Sequence, residues 1–230
     1  MDTLNYITDA SKRFYNEMKD DSNARYRSWE HCYWNFYHAR RNRNVDADYL
    51  SLQLAFYLAS WGMYRGSSFL LQKDYKIHIP IVEEILKKQY NSLCGIRCVE
   101  FKEESNQKLL IELNEFISTY YGEVRRSVKS ENIKNEISAT LITKILMGTL
   151  GCVPAYDRYF IAGIKNCKVA TGTYSIKSVM QLADFYEKHA ESLDLIRDKM
   201  KVYDLTYPQM KILDMGFWQL GYDLDVRNEE

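Results

Sequence analysis

The sequence predicts an all-α protein, a compact two-lobed helical bundle with a cleft between the lobes. Two observations carry this expectation. Only 3 prolines and 10 glycines interrupt 230 residues, too few turn signals for a strand-rich fold. Long stretches also carry apolar residues at helical spacing. A chain of this length buries a substantial core, so residues 1–230 read as one unit. Lobes are expected at 1–45 plus 175–230 and at 46–174, the second carrying the candidate site.

Residues up to about Asp20 read as a first helix, closed by the polar break DDSN. A second, at about 28–41, sets Trp29, Cys32, Tyr33, Phe36 and Tyr37 on a common apolar side. It ends in ARRNRN, a cationic run that suits the carbonyl end of a helix; a phosphate contact is the competing reading. Asp46 or Asp48 caps the next segment, in which Leu50, Leu54, Tyr57, Leu58 and Trp61 follow helical spacing. Leu52, Ala55, Phe56 and Ala59 make its other side apolar too, so this helix is expected in the middle of its domain. It gives way to GMYRGSS at 62–68, a loop of the kind that places side chains in a cleft.

Pro80 opens a helix to about Gln89, and another runs over about 105–121. The polar stretch RRSVKSENIKNE precedes an apolar helix that a glycine stops. After Gly163, a connector with Gly172 leads into a long amphipathic helix at about 175–201. The last helix begins near Pro208 and ends at Gly221.

Lys+Arg and Asp+Glu balance at 31 each, so overall charge points to neither nucleic acid nor membrane. The 19 tyrosines and 4 tryptophans can edge a helical core or present stacking faces. Cys32, Cys94, Cys98, Cys152 and Cys167 form no dense framework and no signal peptide is read at the start, which predicts a reduced, cytoplasmic protein. No apolar run reaches the roughly 18 residues needed to cross a bilayer, so the chain is expected to be soluble, without a membrane partner. Cys94 and Cys98, with His78 as a third ligand, make a poor zinc set, because no second pair matches them. His31, His38, His78 and His189 form no HExxH pattern, and Walker, GxGxxG and GxSxG sequences are absent. No metal or other cofactor is expected.

The run 138–163, SATLITKILMGTLGCVPAYDRYFIAG, is the most informative. Its apolar helix, with Leu141, Ile142, Ile145, Leu146 and Leu150, exits through Gly148 and Gly151 into Val-Pro-Ala-Tyr-Asp. Pro154 at a first helical position would make Asp157 a first-turn carboxylate, facing free amides. That acid can serve chemistry or merely start a helix.

The layout LGCVPAYDRYF resembles the helix-hairpin-helix DNA glycosylases, in which a Val/Ile-Pro-like turn leads to an essential aspartate at the next helix. The upstream segment LQLAFYLASWGMYRGSS stands where those enzymes place a helix bordering the base pocket. The sequence departs from the family in two ways. No glycine occurs in SENIKNEISATL, where the naming hairpin belongs, and residues 138–140 offer no lysine for strand cleavage. Nor do four clustered cysteines follow Asp157, as the iron-sulfur members require.

What the resemblance implies is a monofunctional DNA glycosylase, removing a damaged or modified base from a double-stranded partner, foreign phage DNA included. Asp157 would stabilise the oxocarbenium-like sugar and orient water. Trp61 and Tyr64 would wall the pocket for a flipped base, with Arg65 at a polar edge or phosphate. Lys144 would reach the cleft as a DNA contact, and Tyr156 and Arg158 would touch the DNA backbone. The alternative is a non-enzymatic helical module for nucleic acid or protein, in which Asp157 only starts a helix.

Overall fold

The computed structural model describes residues 2–42, 45–128 and 137–229, with side chains to residue 226. Among these the all-α expectation holds. Helices run α1 Thr3–Asp20, α2 Ser28–Ala39, α3 Ala47–Ser60, α4 Ile79–Ile85, α5 Glu104–Arg126, α6 Ala139–Thr149, α7 Arg158–Asn166, α8 Ile176–Lys188, α9 Ala190–Arg197 and α10 Gln209–Glu229. Short 3-10 turns fill several connections, and one two-stranded ribbon pairs β1 Lys201–Val202 antiparallel to β2 Leu205–Thr206. No described helix is long and apolar enough to cross a membrane.

Side chains mark the helix starts. Asp46 accepts from the Tyr49 amide, Ser138 from Leu141 and Ser175 from Ser178, each satisfying a donor that the first turn leaves free. The long helix expected over 175–201 breaks at His189, whose backbone leaves the helical region at φ −120°. The break divides it into α8 and α9 and lets Leu193 and Ile196 join the core.

The centre of the molecule belongs to α6, not α3. Every residue from Leu141 to Thr149 is buried, and α6 packs beside α2, α3 and α5. Helix α3, expected to be buried all round, leaves Leu52 at 48 % and Phe56 at 61 % exposure. Its two apolar faces look alike in the sequence, but only one finds a partner among the described residues.

Helix α10 lies between α1 and α7. A Cβ on Gly163 would come within 2.1 Å of the Phe217 carbonyl oxygen, and one on Gly221 within 1.9 Å of the Tyr159 carbonyl oxygen. These two glycines let the backbones of α7 and α10 nearly touch. Gly221, expected to end the last helix, therefore sits inside it as a point of close approach. The same packing joins α7, within residues 46–174, to the terminal helix.

Alanine is worth about 1 kcal/mol more than glycine in a helix interior, but at Gly163 it must force two backbones apart. Overpacking of that kind costs about 1–3 kcal/mol against a yielding core, and a backbone carbonyl yields least. Gly163→Ala should lower stability by about 2 kcal/mol, a fall in Tm of roughly 4–8 °C by calorimetry.

Candidate functional site

Two helix ends face one another at Asp157. Helix α3 closes with Gly62 at φ +75°, and the amides of Gly62 and Met63 bond back to the carbonyls of Ala59 and Leu58. This left-handed exit satisfies two orphan carbonyls and leaves that of Trp61 to accept from Lys144 Nζ at 2.8 Å. Opposite, Asp157 is the N-cap of α7. Its Oδ1 accepts from the amides of Tyr159 at 3.2 Å and Phe160 at 3.1 Å, and its Oδ2 lies 3.5 Å from Lys144 Nζ. The cation thus sits at a negative helix end and the anion at a positive one, as the helix dipoles favour.

The turn that delivers Asp157 is held on both sides. Gly151, at φ +63°, takes a conformation that favours glycine, and a Cβ there would meet Pro208 Cγ at 2.5 Å. The Ala155 amide donates to Asp214 Oδ1 of α10 at 2.9 Å, and the Tyr156 amide to Thr143 Oγ1 of α6 at 2.9 Å. Thr140 Oγ1 donates to the Tyr156 carbonyl at 2.8 Å. Helix α7 starts four residues later than a first-position Pro154 would make it, because these bonds keep 154–156 out of helical form. Asp157 is accordingly its cap rather than a first-turn residue.

Burial acts against both charges. It pushes the Asp157 carboxyl above the usual range and the Lys144 amine below its own, while their mutual attraction opposes each shift. Asp214 adds to the rise at Asp157. Asp214 is itself paired with Lys211 at 2.7 Å, both buried, and Lys211 Nζ lies 4.8 Å from the Trp29 ring centre and 5.1 Å from that of Trp61.

Asp157, Lys144 and Trp61 border an open pocket of about 520 Å³. Tyr26 and Trp61 meet at 4.7 Å between ring centres, Trp218 stands edge-on to Trp61 at 6.3 Å, and Tyr159 is 5.3 Å from Trp218. The buried Trp61 indole N–H finds no acceptor among the described residues. Arg25 lies 4.6 Å over Tyr26 and Arg158 4.3 Å over Tyr159, with Arg65 also at the lining.

Of the residues singled out from the sequence, Asp157, Trp61, Tyr64, Arg65, Lys144 and Arg158 all line this pocket. Tyr156 does not. The Asp157 amide donates to the Ala155 carbonyl at 2.8 Å, a three-residue turn centred on Tyr156, whose side chain lies in the core. It is 1 % exposed, and its hydroxyl donates to Ser178 Oγ at 2.8 Å. Lys144 reaches the pocket but does not present a free ammonium for a phosphate; it is the counter-ion of Asp157. Sequence reasoning missed Arg25, Tyr26, Tyr159 and Trp218. It also missed Lys211 and Asp214, although opposite charges three apart inside the apolar run MKILDMGFW were a readable signal. Residues 130–136 of SENIKNEISATL, the stretch in which the hairpin was sought, lie outside the described residues, as do the last two residues of ARRNRN.

Nor does His78 join Cys94 and Cys98. Its Nε2 lies 2.7 Å from the Tyr64 hydroxyl and its Nδ1 is hydrogen-bonded to Tyr121. Among the described residues no three His, Cys, Asp or Glu side chains are grouped to hold a metal ion.

Removing one partner of a buried pair costs about 3–5 kcal/mol. Lys144→Met should therefore destabilise the fold by about 3 kcal/mol at neutral pH. A carboxyl whose folded value is raised binds more protons folded than unfolded, so its cost grows as pH rises through that window. The deficit of Lys144→Met should accordingly shrink as pH falls toward the carboxylate range, a trend that urea unfolding at several pH values would measure.

Compared with known proteins, the chain matches no family model, no curated protein and no solved structure.

Proposed function

We propose that the chain is a monofunctional DNA glycosylase that hydrolyses the N-glycosidic bond of a damaged or modified base, in modified foreign DNA among other sources. One observation carries the reading: a single, rigidly capped carboxylate stands in an aromatic-lined pocket whose other charges are Arg25, Arg65, Lys144 and Arg158. With Lys144 paired to Asp157 and Arg158 to Asp225, Arg25 and Arg65 leave the lining net positive, which suits a polyanion, and the ring faces suit a base taken out of the stack. The volume falls within the range of about 300–1,000 Å³ common to small-ligand sites.

In this reading the extruded base slides against Tyr26, Trp61 and Trp218 while the arginines hold flanking phosphates. As the C1′–N bond stretches, positive charge grows on the sugar. Asp157, fixed beforehand by two amides and Lys144, stabilises that charge and orients the water that attacks C1′. The base leaves with the bonding electron pair and takes up the proton that the attacking water loses, and an abasic site remains. Lys144 keeps the acid ionised against its desolvation, so base release should rise as pH climbs through the raised carboxyl value.

A second reading has a specific observation behind it. Both carboxylate oxygens of Asp157 already have partners, as they would in a nucleic-acid- or protein-binding module without chemistry. Asparagine caps a helix about as well as aspartate, so Asp157→Asn removes the charge and keeps the cap, while leaving Lys144 without its counter-ion at a cost in stability.

The test is incubation with duplexes carrying a panel of modified bases and with phage DNA, followed by assay of free base and abasic sites. Asp157→Asn should lower release by about a hundredfold or more, with DNA affinity within about threefold. Undiminished release would overturn the role of Asp157, and no release from any substrate would favour the binding module. Arg65→Ala should reduce the slope of log affinity against log salt by about 1.

A further inference from the structure

Behind the pocket wall, three groups share hydrogen bonds in a row. Tyr64 lines the pocket and is part-exposed. His78 sits behind it, fully buried, and Tyr121 of α5 lies deeper still, also fully buried. Burial pushes the His78 imidazole down to about 3 and the Tyr64 phenol up to about 12. At neutral pH the row therefore holds one ring N–H and two O–H groups.

Three protons serve two links, so one is left over. A neutral imidazole donates at one nitrogen and accepts at the other, which allows two arrangements. If Nδ1 carried the proton, it would donate to Tyr121, and Tyr64 would donate to Nε2. The Tyr121 proton would then be stranded in the core, where no described acceptor other than His78 is recorded for it, at the full desolvation cost of an orphaned donor. If Tyr121 donates to Nδ1 instead, Nε2–H donates to the Tyr64 oxygen. The spare proton is then that of Tyr64, the one residue of the row that lines the pocket and is part-exposed.

We propose that Tyr64 is a specificity-determining residue, donating its hydroxyl proton into the pocket to a keto oxygen or ring nitrogen of the bound base, with His78 and Tyr121 fixing that direction. The identity of the ligand rests on the nucleic-acid reading above; the proton count stands on the hydrogen-bond geometry. A fixed donor discriminates by what it leaves unpaired. A base that offers no acceptor at this point strands the hydroxyl.

Two measurements on the full chain test this. A long-range proton–nitrogen NMR spectrum of the His78 ring should show Nε2 protonated and Nδ1 bare; a proton on Nδ1 overturns the proposal. Binding of a single-stranded thymidine decamer, rich in keto oxygens, should weaken about tenfold in Tyr64→Phe, while an abasic decamer should bind wild type and variant alike. Equal affinity of wild type and variant for the thymidine decamer also overturns it. Failure of the wild type to bind either decamer counts instead against the nucleic-acid reading, and the ring spectrum then decides the direction of the Tyr64 proton.

Discussion

Two helix ends of opposite polarity meet at Lys144 and Asp157, and much of the architecture can be understood as what keeps them there. Burying an ion pair strips both charges of water, a loss their attraction restores only with good geometry and further hydrogen bonds. Here the further bonds come from backbone. The carbonyl of Trp61 takes one ammonium proton, and the first amides of α7 take one carboxylate oxygen. Neither helix end could be moved by a residue without orphaning a charge. Gly62 at the exit of α3 and Gly151 before α7 are the backbone conditions for that meeting.

The second pair, Lys211 and Asp214, extends the same logic to α10. Asp214 binds both Lys211 and the Ala155 amide, so the turn is tied to a helix that also packs against α7 through glycine. Lys211 lies between the faces of Trp29 and Trp61, where ring quadrupoles replace part of its lost hydration. Two cations and two anions beneath one tryptophan balance one another. The excess positive charge of the pocket lining resides in Arg25 and Arg65, since Arg158 pairs with Asp225.

The helices were legible because their cause is local. Apolar spacing and a cap such as Asp46 act within four residues of themselves, and the sequence shows them directly. Asp157 was legible as an acid at a helix start, though Pro154 was assigned the starting role that side-chain bonds to the turn deny it. What escaped reading depends on partners far along the chain. Gly221 looks like a stop until Tyr159 is placed against it, and Tyr156 looks like a surface neighbour of Asp157 until its hydroxyl is placed against Ser178 in the core. Tyr26 and Trp218 join Trp61 only through the fold. The exposed side of α3 cannot be told from its buried side, since both are apolar.

The bonds that define the turn also order its formation in time. Ala155 is tied to Asp214 across 59 positions, and Trp29 donates to the Met147 carbonyl across 118. Contacts so distant in sequence cannot form while the intervening chain is missing, and closing such loops slows folding. A nascent chain that has emerged as far as α9 has the capping aspartate of α7 but not the carboxylate that ties down the turn before it. The pocket is consequently a late product of synthesis, completed when α10 docks between α1 and α7.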